Sequence, residues 1–229
     1  HLPTMRVVHA MRYGQPALQS VLDGLRAEGV ERVVALPLYP QYSTTTTASI
    51  ADVLARDTSG LSVRMIDDYS TDPRWLVAVA DSVRLWREKN GSGEHLLFSF
   101  HGLPQRIADA GDPYPKRCEV SAHDIAAALG LSADEWTLTY QSRFGKERWL
   151  LPSTDTMLDV LAERGLRQVD VVCPGFAVDC LETLEEIAIE SKAAFLSAGG
   201  GEFHYLPCLN EREAWIEALA AISQAHLRD

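Results

Sequence analysis

Two stretches of this sequence place chemically capable side chains where a fold could use them. In the first, Leu96-Leu97-Phe98-Ser99-Phe100 runs directly into His101, and Gly102 and Pro104 stop anything regular from continuing. The apolar run reads as a buried strand of parallel type. In open α/β sheets, ligands gather at the carboxyl ends of such strands. A histidine there is a candidate base or metal ligand, because imidazoles titrate near neutral pH; it could equally do no more than satisfy a strand-end carbonyl. In the second stretch, Glu182, Glu186 and Glu190 recur every fourth residue and stack three carboxylates along one helical stripe. Like charges at that spacing cost about 0.2–0.5 kcal/mol per pair. Asp179 as an N-cap, with Glu182 three residues on, approaches a capping box. A solvated acidic face is the plain reading of the stripe, and a path that guides a divalent cation or accepts protons is the sharper one.

Arg12 and Arg143 each follow a predicted strand and could clamp carboxylates bidentately, or sit in surface ion pairs. Tyr39, Tyr42 and the hydroxyl run of residues 43–47 could wall a flat aromatic ligand or simply cap the next helix. There is no P-loop, no G-x-G-x-x-G, no G-x-S-x-G elbow and no H-E-x-x-H. Phosphate transfer, nicotinamide chemistry and serine hydrolysis therefore lack support.

Positioning these groups takes alternating strands and helices. Strands are expected over 5–10, 33–36 and 61–66, with helices from Pro16 to Gly29, from the threonines at 44–47 to Arg56, and from Asp72-Pro73 to Lys89. Asn90-Gly91-Ser92-Gly93 reads as a linker, dividing a first half (1–90) from a second (91–229). In the second half, strands are expected over 95–100, 136–140, 169–173 and 203–206. Helices are expected after Gly111-Asp112-Pro113-Tyr114-Pro115, over 153–164, from Asp179, and over 211–226, the last a candidate to pack back on the first half. This pattern predicts an α/β fold with mainly parallel sheets and right-handed crossovers. Residues 22–33 echo 158–169, and Arg12-Tyr13-Gly14 echoes Arg143-Phe144-Gly145. Two echoes in the same order favour two related half-domains with a ligand cleft between them.

The 229 residues are 46% hydrophobic and carry a net charge of −11, enough for a globular core and unsuited to a nucleic-acid surface or a basic membrane-binding face. No apolar run approaches the ~18 residues of a membrane span, and no signal peptide is visible. Cys118, Cys173, Cys180 and Cys208 form no CxxC pair and read as reduced thiols of a cytoplasmic protein.

Six segments, in order, then carry a resemblance: Met11-Arg12-Tyr13-Gly14-Gln15-Pro16, Leu38-Tyr39-Pro40-Gln41-Tyr42-Ser43, Ser99-Phe100-His101-Gly102-Leu103-Pro104, Gly111-Asp112-Pro113-Tyr114-Pro115, Tyr140-Gln141-Ser142-Arg143-Phe144-Gly145 and Asp179-Cys180-Leu181-Glu182-Thr183-Leu184-Glu185-Glu186. Together they resemble ferrochelatases of proteobacterial type, lyases that insert ferrous iron into protoporphyrin IX to make haem. The resemblance implies two Rossmann-like, chelatase-type halves with the porphyrin between them. It implies catalytic and metal roles for His101 and Glu182, a proton or metal path through Glu186 and Glu190, and porphyrin contacts at Arg12, Tyr13 and Tyr39. It implies protoporphyrin IX and Fe(II) as substrates and no organic cofactor, and it leaves peripheral membrane contact open. The cysteines do not match the family's iron–sulfur subgroup, so no cluster is expected. The chain starts at His1 without an initiator methionine and lacks the family's first strand and helices, so a longer parent and an unpaired edge on the first sheet are expected. Two alternatives stand beside this reading, a sirohydrochlorin-type chelatase and a non-catalytic porphyrin- or metal-binding remnant.

Overall fold

The computed structural model describes residues 1–3 and 5–228. Alternation along β3 (His95–His101) organises it. Leu96, Phe98 and Phe100 point to one side of the strand, Leu97, Ser99 and His101 to the other, and every residue before His101 is buried. β3 lies inside an all-parallel sheet with β4 (Trp136–Gln141), β5 (Gln168–Val172) and β6 (Glu202–Leu206), in the order β4-β3-β5-β6. On the Phe98 side pack α3 (Pro73–Asn90), α5 (Tyr114–Leu129) and α9 (Glu213–Arg228), around Trp75, Val79, Ile125 and Trp215. On the Leu97 side pack α6 (Thr154–Glu163) and the helical stretch that follows β5, around Leu158, Val171, Ile187 and Phe195. The period-two pattern thus directs His101 toward the acidic helix. The chain leaves β3 first to β4 on one side and then to β5 on the other, and such a switch point is where open α/β sheets bind ligands.

A second, two-stranded parallel sheet pairs β1 (Arg32–Ala35) with β2 (Ser62–Met65). α1 (Leu18–Ala27) and α2 (Thr47–Arg56) cover it with a small core of Leu22, Leu25, Leu54 and Leu61. Val34 and Leu36 join the large core instead, and α9 packs on both α3 and β1. The sequence echo at 22–33 and 158–169 is also geometric. α1 and α6 both end at a glycine with positive φ (Gly29, 81°; Gly165, 86°), and the next residue donates back to the fifth residue before it, Val30 to Leu25 and Leu166 to Leu161, each at 3.1 Å.

The structure corrects three expectations. Residues 5–10 form no strand: Val7 is 72% exposed and Val8 is exposed too, and without a neighbouring strand to supply hydrogen bonds a β-favouring segment stays irregular. Thr46 precedes α2 without capping it through its side chain, and the Thr44 hydroxyl turns away to Asp112. The helix expected from Asp179 is α7 (Leu181–Leu184), a π-helical turn over Glu186–Ser191 and α8 (Lys192–Ser197). Asp179 does not cap it, because its carboxylate accepts from the Tyr205 hydroxyl, the Cys208 N–H (3.0 Å) and Asn210 Nδ2 (2.8 Å). Cys180 takes the N-cap position, its N–H donating to Thr183 Oγ1 at 3.0 Å. A short helix after Pro104, α4 (Gln105–Asp109), was not foreseen.

Candidate functional site

His101 ends β3 half-buried, and its Nδ1 lies 2.7 Å from the carbonyl oxygen of Gly102. A carbonyl only accepts, so Nδ1 carries the proton and Nε2 keeps its lone pair for a proton or a metal. Gly102 is required beside it. A Cβ there would stand 2.6 Å from the backbone oxygen of Gln141, which accepts the Gly102 N–H at 2.8 Å. The ring of Phe176, 6.3 Å from the imidazole centroid, supplies an apolar neighbour.

Facing His101 is a cavity of about 380 Å³ lined by His101, Gln141, Ser142, Arg143, Phe144, Asp155, Glu182, Glu186, Ile187, Glu190 and Ser191. The three glutamates of the stripe all reach it, Glu182 from α7 and Glu186 and Glu190 from the π-helical turn. Four carboxylates against one arginine make the cavity strongly negative, a field that concentrates cations. The backbone N–H of Glu182 at the first helical turn, then the Cys180 thiol, hold the Glu182 carboxyl below its usual range, and His101 adds to the effect once it takes up a second proton. Glu186 accepts from the Ser142 hydroxyl at 2.6 Å. Gln141, paired with His101 across the β3–β4 ladder, donates from Nε2 to the Glu182 carbonyl at 2.6 Å, while its Oε1 accepts from Ser99 at 2.9 Å.

Arg12, Tyr13 and Tyr39 do not line this cavity. Arg12 Nε donates to the Ser49 carbonyl (2.8 Å) and its guanidinium lies over the Tyr13 ring, 4.4 Å from the centroid. Tyr13 and Tyr39 are exposed. The Tyr39 loop is nonetheless tied to the second half. Buried Asp112, at the start of α5, accepts from Ser43 Oγ (2.9 Å), Thr44 N (2.8 Å) and Thr44 Oγ1 (2.5 Å), and Gln41 donates to Ser121 Oγ (3.0 Å). From the first residue of α5, the Tyr114 hydroxyl donates to the His101 carbonyl at 3.0 Å. Sequence reasoning missed Asp155, whose place in the first turn of α6 reads as ordinary helix-start charge, and gave no role to Ser142, whose type carries no signal.

A histidine and clustered carboxylates at the switch point of a parallel sheet make this an α/β protein of chelatase type. Its fold is similar to that of "SirB from Bacillus subtilis with Fe3+" (TM-score 0.66, 12% identity, 95% of this chain and 81% of that one). It is also similar to that of CbiX, described as the terminal enzyme for siroheme biosynthesis in denitrifying bacteria (TM-score 0.53, 18% identity, 87% and 78% covered). The ferrochelatase family model matches residues 1–227, and the chain belongs to that family. It is 57% identical to a ferrochelatase of Stenotrophomonas maltophilia (strain R551-3) over 99% of this chain and 71% of the relative. It is 48% identical to one of Vibrio atlanticus (strain LGP32), over 94% of this chain and 69% of the relative.

Proposed function

We infer that this chain is a lyase that inserts Fe(II) into protoporphyrin IX, forming haem and releasing two protons. The observation that carries this is His101, its neutral ring leaving an Nε2 lone pair, in the lining of a cavity with Glu182, Glu186 and Glu190. Iron must replace two pyrrole protons, so a base has to stand at the ring face and a route has to take protons away. His101 Nε2 receives the two pyrrole protons in turn, passing the first to the acidic stripe before it takes the second, and Glu182 stays anionic beside it. Glu186 and Glu190 lead outward, supplying hard oxygen ligands for incoming metal and acceptors for departing protons.

The cavity is at the small end of ligand sites, which span about 300–1,000 Å³. It takes the metal and one ring face, and the macrocycle extends across to the first half. Arg12, Tyr13 and Tyr39 contact it there, a division that treats 1–90 and 91–229 as the two walls. The reaction needs no organic cofactor, and the reading includes no iron–sulfur cluster. No helix among the described residues is long and apolar enough to cross a membrane. A cytoplasmic enzyme with peripheral membrane contact through the exposed Leu181, Leu184 and Ile189 fits this arrangement. A sirohydrochlorin-type activity is less favoured, since the likeness to SirB and CbiX is one of fold at 12% and 18% identity.

The test is anaerobic insertion of Fe(II) or Zn(II) into protoporphyrin, followed by absorbance, with His101→Ala in parallel. Wild-type turnover that falls about 10²–10⁴-fold in the variant supports the reading. A folded chain that binds protoporphyrin without metalating it would make this a binding remnant.

A further inference from the structure

Ser142 has a backbone that serine does not choose. Its φ is +59°, in the left-handed region that glycine adopts freely and side chains with a Cβ avoid. Such outliers persist where the surroundings hold them, and they cluster at functional sites. Turned this way at the end of β4, the hydroxyl donates to Glu186 Oε2 at 2.6 Å. The preceding residue holds the turn in place. Gln141 is buried, its Oε1 accepts from Ser99 Oγ (2.9 Å), and its Nε2 donates to the Glu182 carbonyl and stands 3.5 Å from the same Glu186 Oε2. Ser99 in turn contacts Thr154 Oγ1 at 2.8 Å inside the sheet–helix interface. A buried polar line therefore runs from α6 through β3 to the end of β4 and stops at a carboxylate of the cavity.

We propose that Ser142 is a positioning residue for metal insertion: its strained backbone aims the hydroxyl that fixes the Glu186 carboxylate relative to His101. The inference rests on the insertion reading given above. Its rival is a purely conformational role, in which the turn needs a positive φ and the side chain is incidental. The two differ in what glycine does at this position. Glycine adopts φ +59° more easily and has no hydroxyl, so Ser142→Gly should preserve or raise the melting temperature while loosening Glu186.

The experiment compares wild type, Ser142→Gly and Ser59→Gly. Ser59 also has positive φ (55°) but belongs to the α2–β2 connection in the first half. The expected result for Ser142→Gly is an undiminished melting temperature, an unchanged KM for protoporphyrin, and kcat/KM for Zn(II) lower by about tenfold or more, the scale of losing a partner that orients a metal-binding side chain. Zn(II) affinity measured without porphyrin should weaken by the same factor, and Ser59→Gly should match wild type in both assays. Zn(II) affinity and kcat/KM within twofold of wild type in Ser142→Gly would overturn the inference. Failure of the wild type to metalate protoporphyrin would instead count against the insertion reading, and the Zn(II) titration would still decide whether Ser142 orders the carboxylate.

Discussion

At the scale of single residues, the site depends on which atoms are left free. His101 commits Nδ1 to a carbonyl one residue away, so the nitrogen that can act is set locally by the turn at Gly102. Glu182 shows the complementary effect. Its carboxyl is held below the ordinary 4.5 by its own helix-start N–H and the Cys180 thiol, so it gives the folded state stability that is present above that pH and is lost as pH falls through the lower folded value. Glu182→Gln should therefore be less stable than wild type near neutrality, and the difference in melting temperature should shrink in acid. A difference independent of pH would show that the charge is not what the N–H and thiol stabilise. The same substitution should raise the KM for metal, because an amide is a weaker ligand than a carboxylate for a hard cation.

Among secondary-structure elements, what matters is how closely β3 and β4 end together. The Cβ of a Gly102→Ala variant would meet the Gln141 carbonyl oxygen at 2.6 Å, and that backbone cannot yield cheaply. We expect a loss of about 1–3 kcal/mol, read from denaturant midpoints, with insertion reduced because His101 and Gln141 shift together. α3 provides a contrasting test away from the chemistry. Asp72 caps it by accepting from the Arg74 N–H at 2.9 Å, and the Arg74 side chain holds the Asp72 carboxyl below its usual 3.8. Asp72→Ala should cost about 1 kcal/mol at neutral pH with no change in metal KM. That contribution is present above pH 3.8 and disappears as acid protonates the folded carboxylate, so variant and wild type should converge there.

At the level of the whole molecule, polar contacts tie the first-half connections to the second half, and Asp112 gathers several of them. It satisfies two hydroxyls and an N–H of the Tyr39–Thr44 connection while also accepting from Tyr114 N at 2.9 Å. Asp112→Ala should leave the buried Ser43 hydroxyl unpaired, at about 1–3 kcal/mol before relaxation, while the donors of exposed Thr44 turn to water. Its functional signature should be a raised KM for protoporphyrin with the metal KM nearly unchanged, because the Tyr39 loop, proposed above as a porphyrin wall, would loosen while the His101 cavity stays intact. Equal rises in both constants would mean that the two walls are not separable.

The strands of the second half, the α/β class, the family and the stripe that faces His101 were all legible along the chain. Those signals are local: an apolar run of period two, a four-residue spacing and contiguous motif residues are all visible without knowing what packs where. Packing, by contrast, left residues 5–10 with no strand to pair with, since β structure depends on a neighbouring edge. It also decided that Asp179 spends its carboxylate on Tyr205, Cys208 and Asn210 rather than on a helix start, because those partners lie 26–31 residues away. Ser142 and Asp155 join the cavity for the same reason: a serine at a strand end and an aspartate at a helix start reach it only when three-dimensional packing brings a carboxylate helix against them.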